Sequence, residues 1–226
     1  MDLSHLSLKV SVAAAAILAA ASGASASIIA TFVSVSPGQG VEFTINSGAN
    51  WQGTTAGQFN WVGDASNGLG LDGNFTAFCL DLTQFISGGQ VVTFEPLPGV
   101  AGGSLPGNPA LGTPIDAPRE ALISELWGRN YAGLSSAQDF AAFQIAVWEI
   151  IYDDGLDTAT GFAQFRNNAP AIAQADGFLA ALDGTGPQAP LFALTTETAQ
   201  DMLVPTPGAM GLMGLGLAAC ARRRRA

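Results

Sequence analysis

Two residues 65 positions apart stand out chemically. Cys79 is the only thiol in the body of the chain, because Cys220 lies in an apolar C-terminal run. An odd cysteine in an exported protein is either a buried structural residue or a nucleophile. Strand alternation in Phe78-Cys79-Leu80-Asp81 sets Phe78, Leu80 and Leu82 on one face and Ala77, Cys79 and Asp81 on the other. Gln144 is the second anomaly. On a helix it falls in line with Phe140, Val147, Trp148 and Ile151, inside an apolar stripe, where an amide without partners costs about 1–3 kcal/mol. Taken singly, Cys79 reads as a core cysteine and Gln144 as an amide bonded to a strand-end backbone.

The remaining composition removes most other chemistry. The one histidine, His5, and the one lysine, Lys9, both lie in the first nine residues. Ser-His-Asp and Cys-His pairs, Ser-Lys dyads, Schiff-base lysines and His-ligated metals each lack a required group. Nothing basic stands near Cys79 to make it a thiolate, which argues against a thiolate enzyme. Every carboxylate except Asp2 lies in the body of the chain, against only Arg119, Arg129 and Arg166, so nucleic acid is excluded as a partner. No paired acidic motif suggests a glycosidase. Asp153, Asp154 and Asp157 cluster after the Gln144 helix and could attract calcium, but their spacing fits no EF-hand and a solvated acidic loop is the simpler reading. The Gly-rich stretches Gly68 to Gly73 and Gly99 to Gly107 lack the context of phosphate loops and read as turns.

Considered together, Phe78-Cys79-Leu80-Asp81 and Phe143-Gln144-Ile145-Ala146-Val147-Trp148 resemble the paired signature of bacterial surface thioester domains. In that family an aromatic-Cys-aliphatic-acid motif and an apolar-Gln-x-Ala-apolar-Trp motif supply the halves of an internal Cys-Gln thioester. The resemblance implies Cys79 as sulphur donor, Gln144 as acyl donor and Trp148 as packing aromatic, with no cofactor and no metal. Attack of sulphur on the carboxamide expels ammonia, and a held geometry replaces a strong base through effective molarities of about 10⁵–10⁸ M. Phe78, Phe143 and Trp148 are the candidate walls against water. Asp81 and Glu149, each close in sequence to a bond-forming residue, are candidate proton carriers.

Positioning these residues requires a strand-rich first part, a helical middle and a strand-like return. Ile28 to Val35 and Val41 to Ile45, around a Pro37-Gly38-Gln39-Gly40 turn, predict a hairpin. Further strands are expected at Phe59 to Val62, Asn74 to Leu82 and Val91 to Phe94. After a Gly/Pro loop from Pro96 to Pro114, Asp116 and Pro118 open one helix, and Ser136 with Asp139 opens the next, ending near Tyr152. A helical region from Gly161 to Leu182 is interrupted by Pro170, and strand character returns from Leu191 to Leu203. The pattern predicts an α+β domain: a β-sandwich or curled antiparallel sheet with a helical insertion covering one end.

The ends read as targeting signals. Residues 1–26 have the form of a secretory signal peptide, with Lys9 before the apolar Val10 to Ala21 and Ala24-Ser25-Ala26 as cleavage pattern. The domain then spans 27–203. Residues 204–226 comprise Val204-Pro205-Thr206-Pro207-Gly208, the uncharged Ala209 to Ala221, then Arg222, Arg223, Arg224 and Arg225. Thirteen apolar residues reach about 20 Å as a helix, short of the roughly 30 Å hydrocarbon core, so they make a poor permanent anchor. This tail resembles the PEP-CTERM sorting signal of exopolysaccharide-producing Gram-negative bacteria, with Thr206 where Glu is usual. The likeness implies an exosortase as processing partner, transient insertion in the inner membrane, and final residence at the cell surface or in the extracellular matrix. Family members of Gram-positive bacteria usually ride on long multi-domain stalks, whereas this chain offers one domain. Two functions follow from the sequence: single-use covalent attachment to an amine or hydroxyl, which is not enzymatic, or a non-covalent structural role in the exopolysaccharide matrix with Cys79 and Gln144 as core residues. Once Lys9 is lost with the leader, the domain carries no side-chain amine that its own thioester could acylate.

Overall fold

The computed structural model describes residues 27–64, 69–98 and 115–206. Among these residues the fold is α+β, a seven-stranded antiparallel sheet with three α-helices. In chain order the elements are β1 (Ile28–Thr44), β2 (Gln52–Gly63), β3 (Gly73–Cys79), β4 (Val91–Pro98), α1 (Ala117–Asn130), α2 (Ala137–Tyr152), β5 (Gln164–Arg166), α3 (Ala169–Ala180), β6 (Leu191–Thr195) and β7 (Met202–Pro205). The strands lie side by side as β2-β3-β7-β6-β4-β1-β5, and β2 pairs again with β1, so the sheet curls back on itself. The first residues of β1 also pair with β4 and its last residues with β5.

The expected hairpin at Pro37 is not formed. Residues Ile28–Thr44 make one long strand that stays paired with β2 across the Pro37-Gly38-Gln39-Gly40 segment, with a register shift between Val35 and Gly38. Two glycines explain why the chain bulges and does not turn back. A Cβ on Gly57 would stand 2.4 Å from the Pro37 carbonyl oxygen and 2.5 Å from the Gly38 Cα, so only glycine lets the strands approach there. The Asn60 side chain then donates to the Ser36 carbonyl at 2.6 Å, occupying an oxygen that the bulge frees from the ladder.

The two predicted helix starts are present. Asp116 caps α1 by accepting from the Arg119 N–H at 3.0 Å, with Pro118 in the first turn. Ser136 and Asp139 form a reciprocal capping box on α2, which ends at Tyr152. Pro170 begins a helix where an interruption was expected: Asn168 caps α3 and Pro170 sits in its first turn, where the missing N–H costs nothing. The residues before it form the short β5.

Ala141 to Tyr152 are buried all round. A helix apolar on every face must lie inside the domain. Helix α2 packs against β1, β2 and β3 on one side and α1 and α3 on the other, so the helical part supplies core as well as covering an end. The first strands and this helix thereby meet in one apolar interior that holds both Cys79 and Gln144. Residues 1–26, read as a signal peptide, and the stretch Gly99 to Gly107, read as turns, lie outside the described residues.

Candidate functional site

Cys79 is the last residue of β3, opposite Met202 of β7, with Phe78 opposite Leu203. The strand was expected to continue to Leu82 but stops here, because the next residues bond to one another. The Cys79 thiol donates to the Asp81 carbonyl at 2.9 Å, and the Asp81 N–H donates to the sulphur at 3.2 Å. Asp81 Oδ1 accepts from the Thr83 N–H at 2.6 Å and its hydroxyl at 2.7 Å, an Asx-type turn that a strand cannot continue through. The face assignment from alternation therefore ends at Cys79. Tyr152, at the end of α2, accepts from the Leu82 N–H at 3.0 Å and donates to Asp81 Oδ1 at 3.2 Å, tying the turn to the helix.

Gln144 reaches this strand end from α2. Its Oε1 accepts from the Cys79 N–H and its Nε2 donates to the Cys79 carbonyl, both at 2.8 Å. The carboxamide thus docks on the Cys79 main chain much as a neighbouring strand would. Neither residue has any exposed surface. The otherwise costly buried amide is satisfied, and its carbonyl carbon is held against the residue that carries the thiol. Burial pushes the Cys79 thiol well above its ordinary range, and the negative charges of Asp81 and Asp201 add to the rise. The indole of Trp148, whose N–H makes no hydrogen bond, lies close enough to offset part of it. Cys79 takes part in no disulphide among the described residues, and burial favours the protonated form of its thiol.

The three expected wall residues pack among aromatic neighbours. Phe78 and Phe143 pack with ring centroids 4.7 Å apart, and Trp148 stacks on Phe165 of β5 at 6.3 Å and 7°. Trp127 meets both Phe78 and Phe143 edge-on at 5.5 Å. Sequence reasoning missed Tyr152 as a site residue, although it continues the line Gln144, Trp148, Tyr152 at four-residue spacing along one helix face. It also missed Gln200, whose Nε2 donates to the Asp81 carbonyl at 3.1 Å, and Asp201, whose carbonyl accepts from the Leu80 N–H at 2.9 Å. An acid amid the apolar residues around Met202 was the available signal.

The two candidate proton carriers separate. Asp81 lies beside Cys79, whereas Glu149 faces the loop after α2. Glu149 Oε1 accepts from the Asp157 N–H at 3.1 Å, Oε2 has no partner, and the residue is fully buried. Burial first, then the charges of Asp153, Asp157 and Asp176, push its carboxyl up to about 8. Nothing links it to the sulphur, so its nearness in sequence to Gln144 does not bring it to the site: five residues along a helix turn a side chain well away. Asp153 binds the N–H groups of Asp154, Gly155, Phe162 and Ala163, Asp157 binds Ala159 and Thr160, and Asp154 pairs with Arg119 at 2.5 Å. These acids fold their own loop, and among the described residues no group of three or more His, Cys, Asp or Glu is arranged to hold a metal ion.

Val204 and Pro205, assigned to the sorting motif, complete β7 against Phe192 and Leu191 of β6. The folded unit therefore runs two residues past the expected boundary at 203. Pro207, Gly208 and Arg222 to Arg225 lie outside the described residues. Comparisons with protein-family models, with curated proteins and with solved structures return no match.

Proposed function

We propose that the chain is an exported thioester domain that forms an internal bond between Cys79 and Gln144 and uses it once, for covalent attachment to an amine or hydroxyl at the cell surface or in the extracellular matrix. The observation that carries the reading is the double hydrogen bond between the Gln144 carboxamide and the Cys79 main chain, both residues fully buried. It holds the side chains as they stand before any bond joins them. When the sulphur attacks the Gln144 carbonyl carbon, negative charge develops on Oε1, and the Cys79 N–H already points at that oxygen as an oxyanion donor. Ammonia leaves, and the acyl group passes to sulphur. Phe78, Phe143, Trp127 and Trp148 keep water from hydrolysing the product. A foreign nucleophile then takes the acyl group, freeing the Cys79 thiol; the domain is consumed and is not an enzyme. The PEP-CTERM-like tail, processed by an exosortase, would deliver the domain to the surface.

A second reading has its own support: a fully satisfied Gln144 is also what a purely structural amide in a matrix protein would look like. Intact mass decides between them. The covalent reading expects freshly purified protein to lack one ammonia and to have no titratable thiol, and treatment with methylamine to restore the thiol and add the amine. Cys79→Ala and Gln144→Ala should each abolish labelling. Full mass with a free thiol in fresh wild type would refute it.

A further inference from the structure

Cys79 and Gln144 are both fully buried, yet a foreign nucleophile has to arrive at the Gln144 carbonyl carbon. Some part of the protein must therefore move, and the segments around the pair differ in what holds them. Helix α2 is core all along Ala141 to Tyr152, and β7 is bonded on both edges, to β3 and to β6. Moving either one dismantles the domain. The turn after Cys79 belongs to no helix or strand, and it touches the sulphur itself: the thiol donates to the Asp81 carbonyl at 2.9 Å and accepts from the Asp81 N–H at 3.2 Å.

The turn is also thin. Asp81 is buried, but Thr83, whose N–H and hydroxyl both donate to Asp81 Oδ1, is exposed, so two hydrogen-bonded steps lead from the sulphur to water. Beyond Thr83 the described residues make no hydrogen bond to another element until the Gly89 N–H meets the Phe32 carbonyl at 2.9 Å, and Phe85 between them is 59% exposed. Tyr152 grips the turn from the helix side. Its hydroxyl accepts from the Leu82 N–H at 3.0 Å and donates to Asp81 Oδ1 at 3.2 Å, so one oxygen on α2 holds two consecutive residues of the turn. The buried Leu82 side chain, the Gln200 bond to the Asp81 carbonyl and the Asp201 bond to the Leu80 N–H complete the closure.

We propose that the Leu80–Thr83 turn is the gate to the thioester and that Tyr152 is its latch, a positioning residue that sets how often the bond is open to attack. The proposal rests on the thioester reading above. With the turn lifted, an amine nitrogen attacks the Gln144 carbonyl carbon, the carbon–sulphur bond breaks with its electron pair on Cys79, and one amine proton ends on the sulphur, leaving an amide and a thiol. When the gate closes faster than attack occurs, the rate is set by the open fraction. Without the Tyr152 hydroxyl, the Leu82 N–H loses its partner in the closed state but finds water in the open one, which shifts the balance toward opening. The latch thus protects the bond from water and meters its use.

The test treats the full chain, its bond identified by the missing ammonia, with methylamine and follows the gain of one methylamine by intact mass. Tyr152→Phe keeps the ring and should still form the bond, yet react about tenfold faster or more, the change expected for losing one or two buried hydrogen bonds. Thr83→Ala loosens the turn from its exposed edge and should react several-fold faster. Each rate is repeated at low urea, below the unfolding transition. Local opening exposes little surface and barely responds, whereas reaction through global unfolding rises with the full urea slope. Wild-type rates in both variants, or acceleration that follows the global slope, overturn the gate and leave the thioester standing. If Tyr152→Phe does not fold, Thr83→Ala and the urea response of wild type decide in the same way. Wild type that never loses ammonia overturns the thioester reading, and the gate with it.

Discussion

Glu149→Gln should stabilise the protein at alkaline pH and do little in acid. The ordinary value for the carboxyl is 4.5, and burial raises it to about 8 in the folded chain. Between those values the folded state holds a proton that the unfolded state has released, so raising the pH favours unfolding. The penalty is absent below about pH 4.5, grows by about 1.4 kcal/mol per pH unit, and is complete above about pH 8, at a total on the order of 4–5 kcal/mol. Glutamine removes that titration. Its carbonyl keeps the bond from the Asp157 N–H, and its amide nitrogen would face Asp153, Asp157 and Asp176 in place of the partnerless Oε2. Urea midpoints at pH 5, 6, 7 and 8 should show wild type weakening steadily, with the variant pulling ahead by several kcal/mol at pH 8. Asp201, displaced in the same direction, keeps a shallower slope in the variant. Wild type and variant curves that run parallel from pH 5 to 8 would refute the reasoning, since Glu149 would then titrate alike in both states.

Gly57→Ala should cost about 2–4 kcal/mol in urea denaturation, because its Cβ would meet the Pro37 oxygen at 2.4 Å and backbone cannot yield as a side-chain tip does. A midpoint within experimental error of wild type would mean that the bulge tolerates separation. In protein recovered from the native cell surface, mass spectrometry should find no peptide from Met210 to Cys220 attached to the domain, and recovery of such a peptide would argue against processing.

Local signals were readable where local chemistry decides structure. The caps at Asp116 and Ser136, the end of α2 at Tyr152 and the apolar line through Gln144 all follow from neighbours a few residues away. Pro37-Gly38-Gln39-Gly40 misled because its turn chemistry competes with a partner strand that has its own glycine at position 57, a fact of tertiary packing. The pairing of Cys79 with Gln144 was visible only by likeness to a known motif, and the structure brings the two together across 65 residues. Asp201 left only a weak mark in the sequence, an acid among apolar residues: its place beside Leu80 depends on β7 lying beside β3, a long-range pairing that the local sequence does not announce. Glu149 shows the converse, a residue adjacent in sequence that the helix turns away.

The position of β7 has a mechanical consequence. This strand of four residues lies between β3 and β6, bonded to the Cys79 end of one and to Leu191–Leu194 of the other. On the proposed reading, a captured molecule hangs from Gln144 on α2, and the chain beyond Pro205 leads toward the cell. Tension then enters through the helix and leaves along the axis of β7. A strand pulled lengthwise between two neighbours loads its hydrogen bonds in shear, so they must fail together and not one after another. The load that detaches the domain from its tether is therefore governed by Met202 to Pro205, and the bonds lost with it on the β3 side include those that align Cys79.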